Sequence, residues 1–117
     1  MNERDKALLQ EMLQFARRIS RRIVGRDRQD LEIDDEALGG LLVRELAVIG
    51  EAASHISPAL RAEQPAIAWS AMVAMRNRLI HGYSSVNWDI VWDTCTRNIP
   101  VLIEQLEQLL TEQDASP

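Results

Sequence analysis

WDIVWDTCTRNIPVLIEQLEQLLTEQ, residues 88–113, carries the cleanest apolar repeat in the chain. Trp88, Val91 with Trp92, Cys95, Ile99, Leu102 with Ile103, Leu106, and Leu109 with Leu110 recur every three or four residues. At 3.6 residues per turn that spacing lines one face of an α-helix. Asn87, with Asp89 close behind, is placed to cap its start. Pro100 lies inside the repeat and predicts a kink, because proline lacks an N–H and its ring crowds the preceding turn.

Working back from this segment, the same period returns three times. From Glu3 to about Val24 it runs through Leu8 and Leu9, Met12, Phe15 and Ala16, Ile19 and Ile23, with Gly25 as the stop. From Asp34 to about Ile56 it uses Leu38, Leu41 and Leu42, Ile49, Ala52 and Ala53, and Ile56, with Asp34 as the cap and Asp35 and Glu36 in the first turn. Ser57-Pro58 predicts a cap and first position of a short extra turn. A further helix is expected after Pro65, ending at Gly82, where glycine accommodates a left-handed stop. No segment alternates as a strand. The expectation is an all-α, up-down bundle of four main helices plus a short extra turn, one domain over residues 1–117 with a core at about 3–110.

Composition agrees. Hydrophobic residues make up 46% and aromatics 4%, which suits packed helices. The amino terminus, Met-Asn-Glu-Arg-Asp-Lys, does not read as a signal peptide, and no apolar run reaches membrane-spanning length. A lone cysteine, Cys95, rules out an internal disulfide and fits a reducing cytoplasm. It reads as core filler. Two histidines and no carboxylate pair at ligand spacing argue against a zinc site, and there is no P-loop or GxGxxG.

The net charge of −5 argues against a non-specific duplex binder, but the charge is uneven. Residues 17–28, RRISRRIVGRDR, hold six arginines and one acid, and residues 30–36 then hold five acids. The arginine pairs at i, i+4 make one basic helix face. It is either a solvated face paired with acidic neighbours or a landing strip for RNA or an acidic partner. Ala47, Gly50 and Ser54 put small residues on one helix where another backbone could approach closely. Three tryptophans exceed what so small a bundle needs, so a homodimer is expected.

The chemistry concentrates in residues 76–83, RNRLIHGY. Arg76 falls inside an apolar stripe of Trp69, Met72, Val73, Met75, Leu79 and Ile80. A charge there is either paired internally, for example with Glu45 or Glu51, or it lines a cleft. Arginine keeps its charge and forks onto phosphate oxygens, whereas histidine gives or takes a proton near neutral pH. Asn77 and His81 are i, i+4 and share one side of the helix. His55 shares a face with Arg44 and Glu51, which reads as a solvated charge cluster.

Arg76-Asn77-x-x-x-His81-Gly82-Tyr83 resembles the Arg-x4-6-His motif of HEPN domains, in the extended form ending His-x-Tyr that typifies HepT toxins. LAVIGEAA, residues 46–53, is similar to that subfamily's Ile-Gly-Glu-Ala segment, and Pro65–Trp69 and Val91-Trp92 fall in the expected order. The likeness covers roughly residues 3–110 and departs from the family at residues 26–36, where a charged stretch replaces an aromatic-containing turn. The resemblance implies a homodimeric, metal-independent endoribonuclease that needs no cofactor, the toxin of a toxin–antitoxin pair. By position, Arg76 and His81 would be catalytic, Asn77 would orient one of them, and Glu51 would help hold the site. Tyr83 would receive AMP from ATP through a cognate MNT-type nucleotidyltransferase antitoxin. The rival expectation is a non-catalytic helical dimer that binds a nucleotidyltransferase and nucleotide or RNA, with Arg76 as a phosphate clamp.

Overall fold

The computed structural model describes residues 1–33, 35–81 and 86–115, and the side chains of these except at 35, 36 and 115. Helix α1 (Glu3–Arg22) is followed by α2 (Arg28–Ile33), a wide π-helical turn at Asp35–Gly39, and α3 (Gly40–Ser54). Then come α4 (Pro58–Glu63), α5 (Trp69–His81), α6 (Trp88–Asp93), a second wide turn at Thr94–Asn98, and α7 (Ile99–Ala115). Among the described residues there is no strand, and no helix is long and apolar enough to cross a membrane.

α1 starts where Asn2 accepts the Asp5 N–H, and its acidic first turn and basic last turn both oppose the helix dipole. It stops at Gly25, whose φ of +73° is a conformation glycine reaches without steric cost. Leu9, Met12, Ala16 and Ile19 are fully buried along one face, and α1 packs against α3 on one side and α7 on the other. α3 is the central element. Leu42, Leu46, Ile49 and Ala53 fill the core toward its neighbours, and α5 lies across it. Ser57 caps α4 with Pro58 in its first turn, as the sequence predicts. The buried Asp5 carboxylate accepts both the N–H (3.0 Å) and the hydroxyl (2.5 Å) of Ser57, tying the start of α1 to the start of α4.

The structure departs from the expected elements in four places. The charged stretch after Gly25 forms α2, anchored by the fully buried Leu31 and by Arg28, which pairs with Glu32 and with Asp89 of α6. The helix expected from Asp34 is regular only from Gly40 to Ser54; the cap expected at Asp34 lies outside the described residues. α5 begins at Trp69 rather than just after Pro65, because Ile67 turns into the core and the Trp69 indole N–H donates to the Gln64 carbonyl (3.0 Å). Where a kink was expected at Pro100, the helix instead widens one turn earlier. There the Ile99 N–H reaches the Thr94 carbonyl, and the widened turn relieves the crowding that the proline ring imposes on the carbonyl four residues back.

The basic strip resolves largely into pairs. Arg17 faces Glu107 at 3.6 Å, and Arg18 stacks over the Phe15 ring. Arg22 forks onto the buried Glu45 at 2.5 and 3.2 Å. The tryptophans, read from sequence as surplus surface, are drawn into the chain's own packing. Trp69 is buried, Trp92 packs on the core, and the Trp88 ring occupies the space left by the missing side chain of Gly39.

Candidate active site

α5 carries the motif, and its position is set by Gly50 of α3. A β-carbon there would stand 2.3 Å from Cβ of Arg76 and 2.6 Å from the Met72 carbonyl oxygen. The close approach expected of the small-residue stripe is therefore made by α5 of the same chain. It brings Arg76 beside Glu51, and the Arg76 Nη2 forms an ion pair with Glu51 Oε2 at 2.7 Å. Nη1 of the same guanidinium donates to Asn77 Oδ1 at 2.9 Å. The other oxygen of Glu51 lies 2.9 Å from Nε2 of His55, the residue that caps α3. The cluster is open to solvent: Arg76 is 30% exposed, Glu51 48% and His55 49%.

Of the two expectations for Arg76, one is met. It is paired internally, with Glu51 rather than Glu45, whose partner is Arg22. It also keeps three N–H groups not used by Glu51 or Asn77, a donor set suited to a phosphate.

His81 is the last residue of α5, about 140° around the axis from Arg76 and about 40° from Asn77. It is exposed and lines a cavity of about 340 Å³ with Arg78, Asn87 and the apolar Met75, Leu79, Val86, Ile90 and Val91. The motif thus presents two groups of side chains in one chain: Arg76, Asn77, Glu51 and His55 at the α3–α5 seam, and Arg78 with His81 at the end of α5. Among the described residues, the polar partners of Arg76 belong to the first group. Gly82 and Tyr83 lie outside the described residues. His55 is the member that sequence reasoning set aside. Its i, i+4 spacing to Glu51 was visible, and Glu51 was one of two partners weighed for Arg76; which of the two faces Arg76 was not visible.

A second groove, of about 260 Å³, runs between α5 and α7 over Leu46 and Ile49 of α3. Gln105 closes one end by donating to the Ala66 carbonyl at 3.1 Å. Cys95 is fully buried, and burial, with the nearby charge of Glu45, pushes its thiol up to about 12. Among the described residues no group of three or more histidine, cysteine or carboxylate side chains could hold a metal ion.

An all-helical bundle that carries an arginine and a histidine five residues apart at the end of one helix defines a narrow class. The chain belongs to the HepT-like ribonuclease family, whose model, described as "Ribonuclease HepT-like", matches residues 12–109. It is 31% identical over 105 residues to a protein of Caldanaerobacter subterraneus subsp. tengcongensis provisionally named an RNase, covering 90% of this chain and 93% of the relative. A protein of Methanocaldococcus jannaschii, also provisionally named an RNase, is 31% identical over 113 residues, covering 96% of this chain and 97% of the relative. One from Thermococcus cleftensis, provisionally named ribonuclease HepT, is 37% identical over 68 residues, covering 58% of this chain and 62% of the relative. No solved structure matches the chain.

Proposed function

We propose that this protein is an endoribonuclease that cleaves RNA without a metal ion. The observation that carries the reading is Arg76 held in a fixed pose by Glu51 and Asn77, on the same helix that ends in the exposed His81. In the proposed reaction His81 takes the proton of a ribose 2′-OH as that oxygen attacks the adjacent phosphorus. The P–O5′ bond breaks, the 5′ oxygen takes a proton from water, and the products are a 2′,3′-cyclic phosphate and a 5′-hydroxyl end. Arg76 stabilises the charge that builds on the phosphoryl oxygens. DNA, without a 2′-OH, is bound but not cut.

The angular separation of Arg76 and His81 supports a working unit of two copies, in which α5 of one chain faces α5 of the other. Ile80, 53% exposed beside His81, and Val101, 53% exposed on the groove between α5 and α7, are apolar groups that such an interface would cover. Within this reading the protein is the toxin of a two-component pair, silenced when a nucleotidyltransferase partner transfers AMP to Tyr83.

A second reading, a non-catalytic dimer with Arg76 as a phosphate clamp, is favoured by one observation: the groups nearest Arg76 are Glu51 and Asn77 rather than His81. Changing His81 to alanine separates the two. For the enzyme, His81→Ala lowers RNA cleavage by about 10²–10⁴ with RNA binding kept, Arg76→Ala lowers it by about 10²–10³, and EDTA has no effect. Cleavage that survives His81→Ala, or that EDTA abolishes, overturns the mechanism.

A further inference from the structure

We propose that His55 is a positioning residue of this site, which through Glu51 makes the hold of Arg76 on a phosphate depend on pH. The proposal rests on the reading of Arg76 as the phosphate-binding group. The geometry is a chain of three contacts across two helices: His55 Nε2 to Glu51 Oε1 at 2.9 Å, Glu51 Oε2 to Arg76 Nη2 at 2.7 Å, and Arg76 Nη1 to Asn77 Oδ1 at 2.9 Å.

A carboxylate only accepts hydrogen bonds, so Nε2 of His55 carries its hydrogen whether the ring is neutral or charged. Protonation occurs at Nδ1, and it adds a full positive charge without breaking the contact that orients Glu51. With a neutral imidazole, the charges of Glu51 and Arg76 cancel, and an approaching phosphate meets a neutral cluster. With an imidazolium, Glu51 is shared between two cations and the cluster carries a net +1. Protonation of the ring therefore strengthens the attraction for an anion, and the gain is lost with the proton.

Arg61 and Asp5, charged groups on the elements around His55, have partners of their own. On α3 its partner is Glu51, and on α5 the facing charge is Arg76. From α4, Arg61 is turned to the Ala53 carbonyl at 2.8 Å. From α1, the carboxylate of Asp5 is occupied by Ser57. Because Glu51 and His55 are half exposed, the effect is the size of a solvent-screened ion pair, about a two- to fivefold change in affinity.

The chain has two histidines, so His81 must be removed from the measurement. The probe is a fluorescent single-stranded DNA oligonucleotide, which lacks the 2′-OH and stays intact. In the His81→Ala protein, its affinity should weaken about two- to fivefold between pH 5.5 and 8.5. Adding His55→Gln, which keeps a donor for Glu51 but cannot become charged, should flatten that profile. By reciprocity, the oligonucleotide should raise the midpoint at which the His55 ring titrates, read by NMR, and Arg76→Ala should abolish the rise. A pH response that survives His55→Gln, a His55 midpoint unmoved by the oligonucleotide, or no binding at any pH overturns the proposal. Failure of the unmodified protein to cut RNA would instead overturn the enzymatic reading and leave these binding results standing.

Discussion

Gly50 and Arg76 meet backbone to side chain across the α3–α5 seam, with no room between them for a β-carbon. One obstructing atom is Cβ of Arg76 and another is the Met72 carbonyl oxygen, and neither can move aside by a side-chain rotation. Helix packing and the pose of the motif arginine are thus set by the same residue.

Gly50→Ala should destabilise the protein by about 1–3 kcal/mol, the usual cost of overpacking. This holds even though alanine alone would favour the helix by about 0.8–1.0 kcal/mol. Urea unfolding measures the loss. The displaced α5 should also carry Arg76 away from Glu51, so cleavage per folded molecule should fall. A stability equal to or above that of the unmodified protein would show that the seam yields easily.

Removing Arg22 should cost more than most surface arginines do. Glu45 is buried and Arg22 satisfies both its oxygens, so Arg22→Ala leaves a buried carboxylate unpaired, at about 3–5 kcal/mol. Adding Glu45→Met should recover most of the loss. Thermal or urea unfolding of the single and double variants checks both statements.

Cys95 should be inert in the native protein. Its thiol is raised from the ordinary 9.0 to about 12, first by burial and then by the charge of Glu45, so at pH 8 it is neither ionised nor reachable. A thiol reagent should label it only in denaturant. The sign of the linkage follows: above about pH 9 the unfolded chain loses the proton and the folded chain retains it. Stability from this group is full below pH 9 and falls toward pH 12, by up to about 1.4 kcal/mol per pH unit. Cys95→Ala should lack that part of the alkaline decline.

Tyr83 is expected to be the switch of the proposed toxin. Incubation with an MNT-type nucleotidyltransferase and ATP should add AMP to the peptide containing it, as mass spectrometry would show. The added phosphate would bring negative charge toward Arg76 and Arg78 and occupy donors meant for RNA. Tyr83→Phe should cleave RNA and escape neutralisation; normal neutralisation of that variant would place the modification elsewhere.

Features that depend on neighbours in sequence were legible from the sequence. The apolar stripe of residues 88–113, the Asn87 cap, the Ser57-Pro58 start and the Gly25 stop are each set within a turn or two of chain. α2 was not legible, because its one buried apolar residue, Leu31, gives no period, and Arg28 finds Asp89 only after folding. The wide turn at Thr94–Asn98 was read as a kink at Pro100, since sequence locates the proline but not the carbonyl that must move away from it. At the site, Glu51 and Arg76 could be named as partners. His55 could not be joined to them, because its role depends on how α3 and α5 register at Gly50.

The pairing of α1 with α7 has a consequence for synthesis. α1 is covered by α3 on one side and on the other by a helix that begins only at Ile99, where Lys6 and Arg17 find Asp114 and Glu107. On the ribosome, at roughly 5–20 residues per second, α1 therefore emerges on the order of 5–20 s before its cover does. During that interval the nascent chain carries an exposed apolar stripe and an unfinished bundle. Until α7 is made, α1 depends on α3 and on whatever shields its second side.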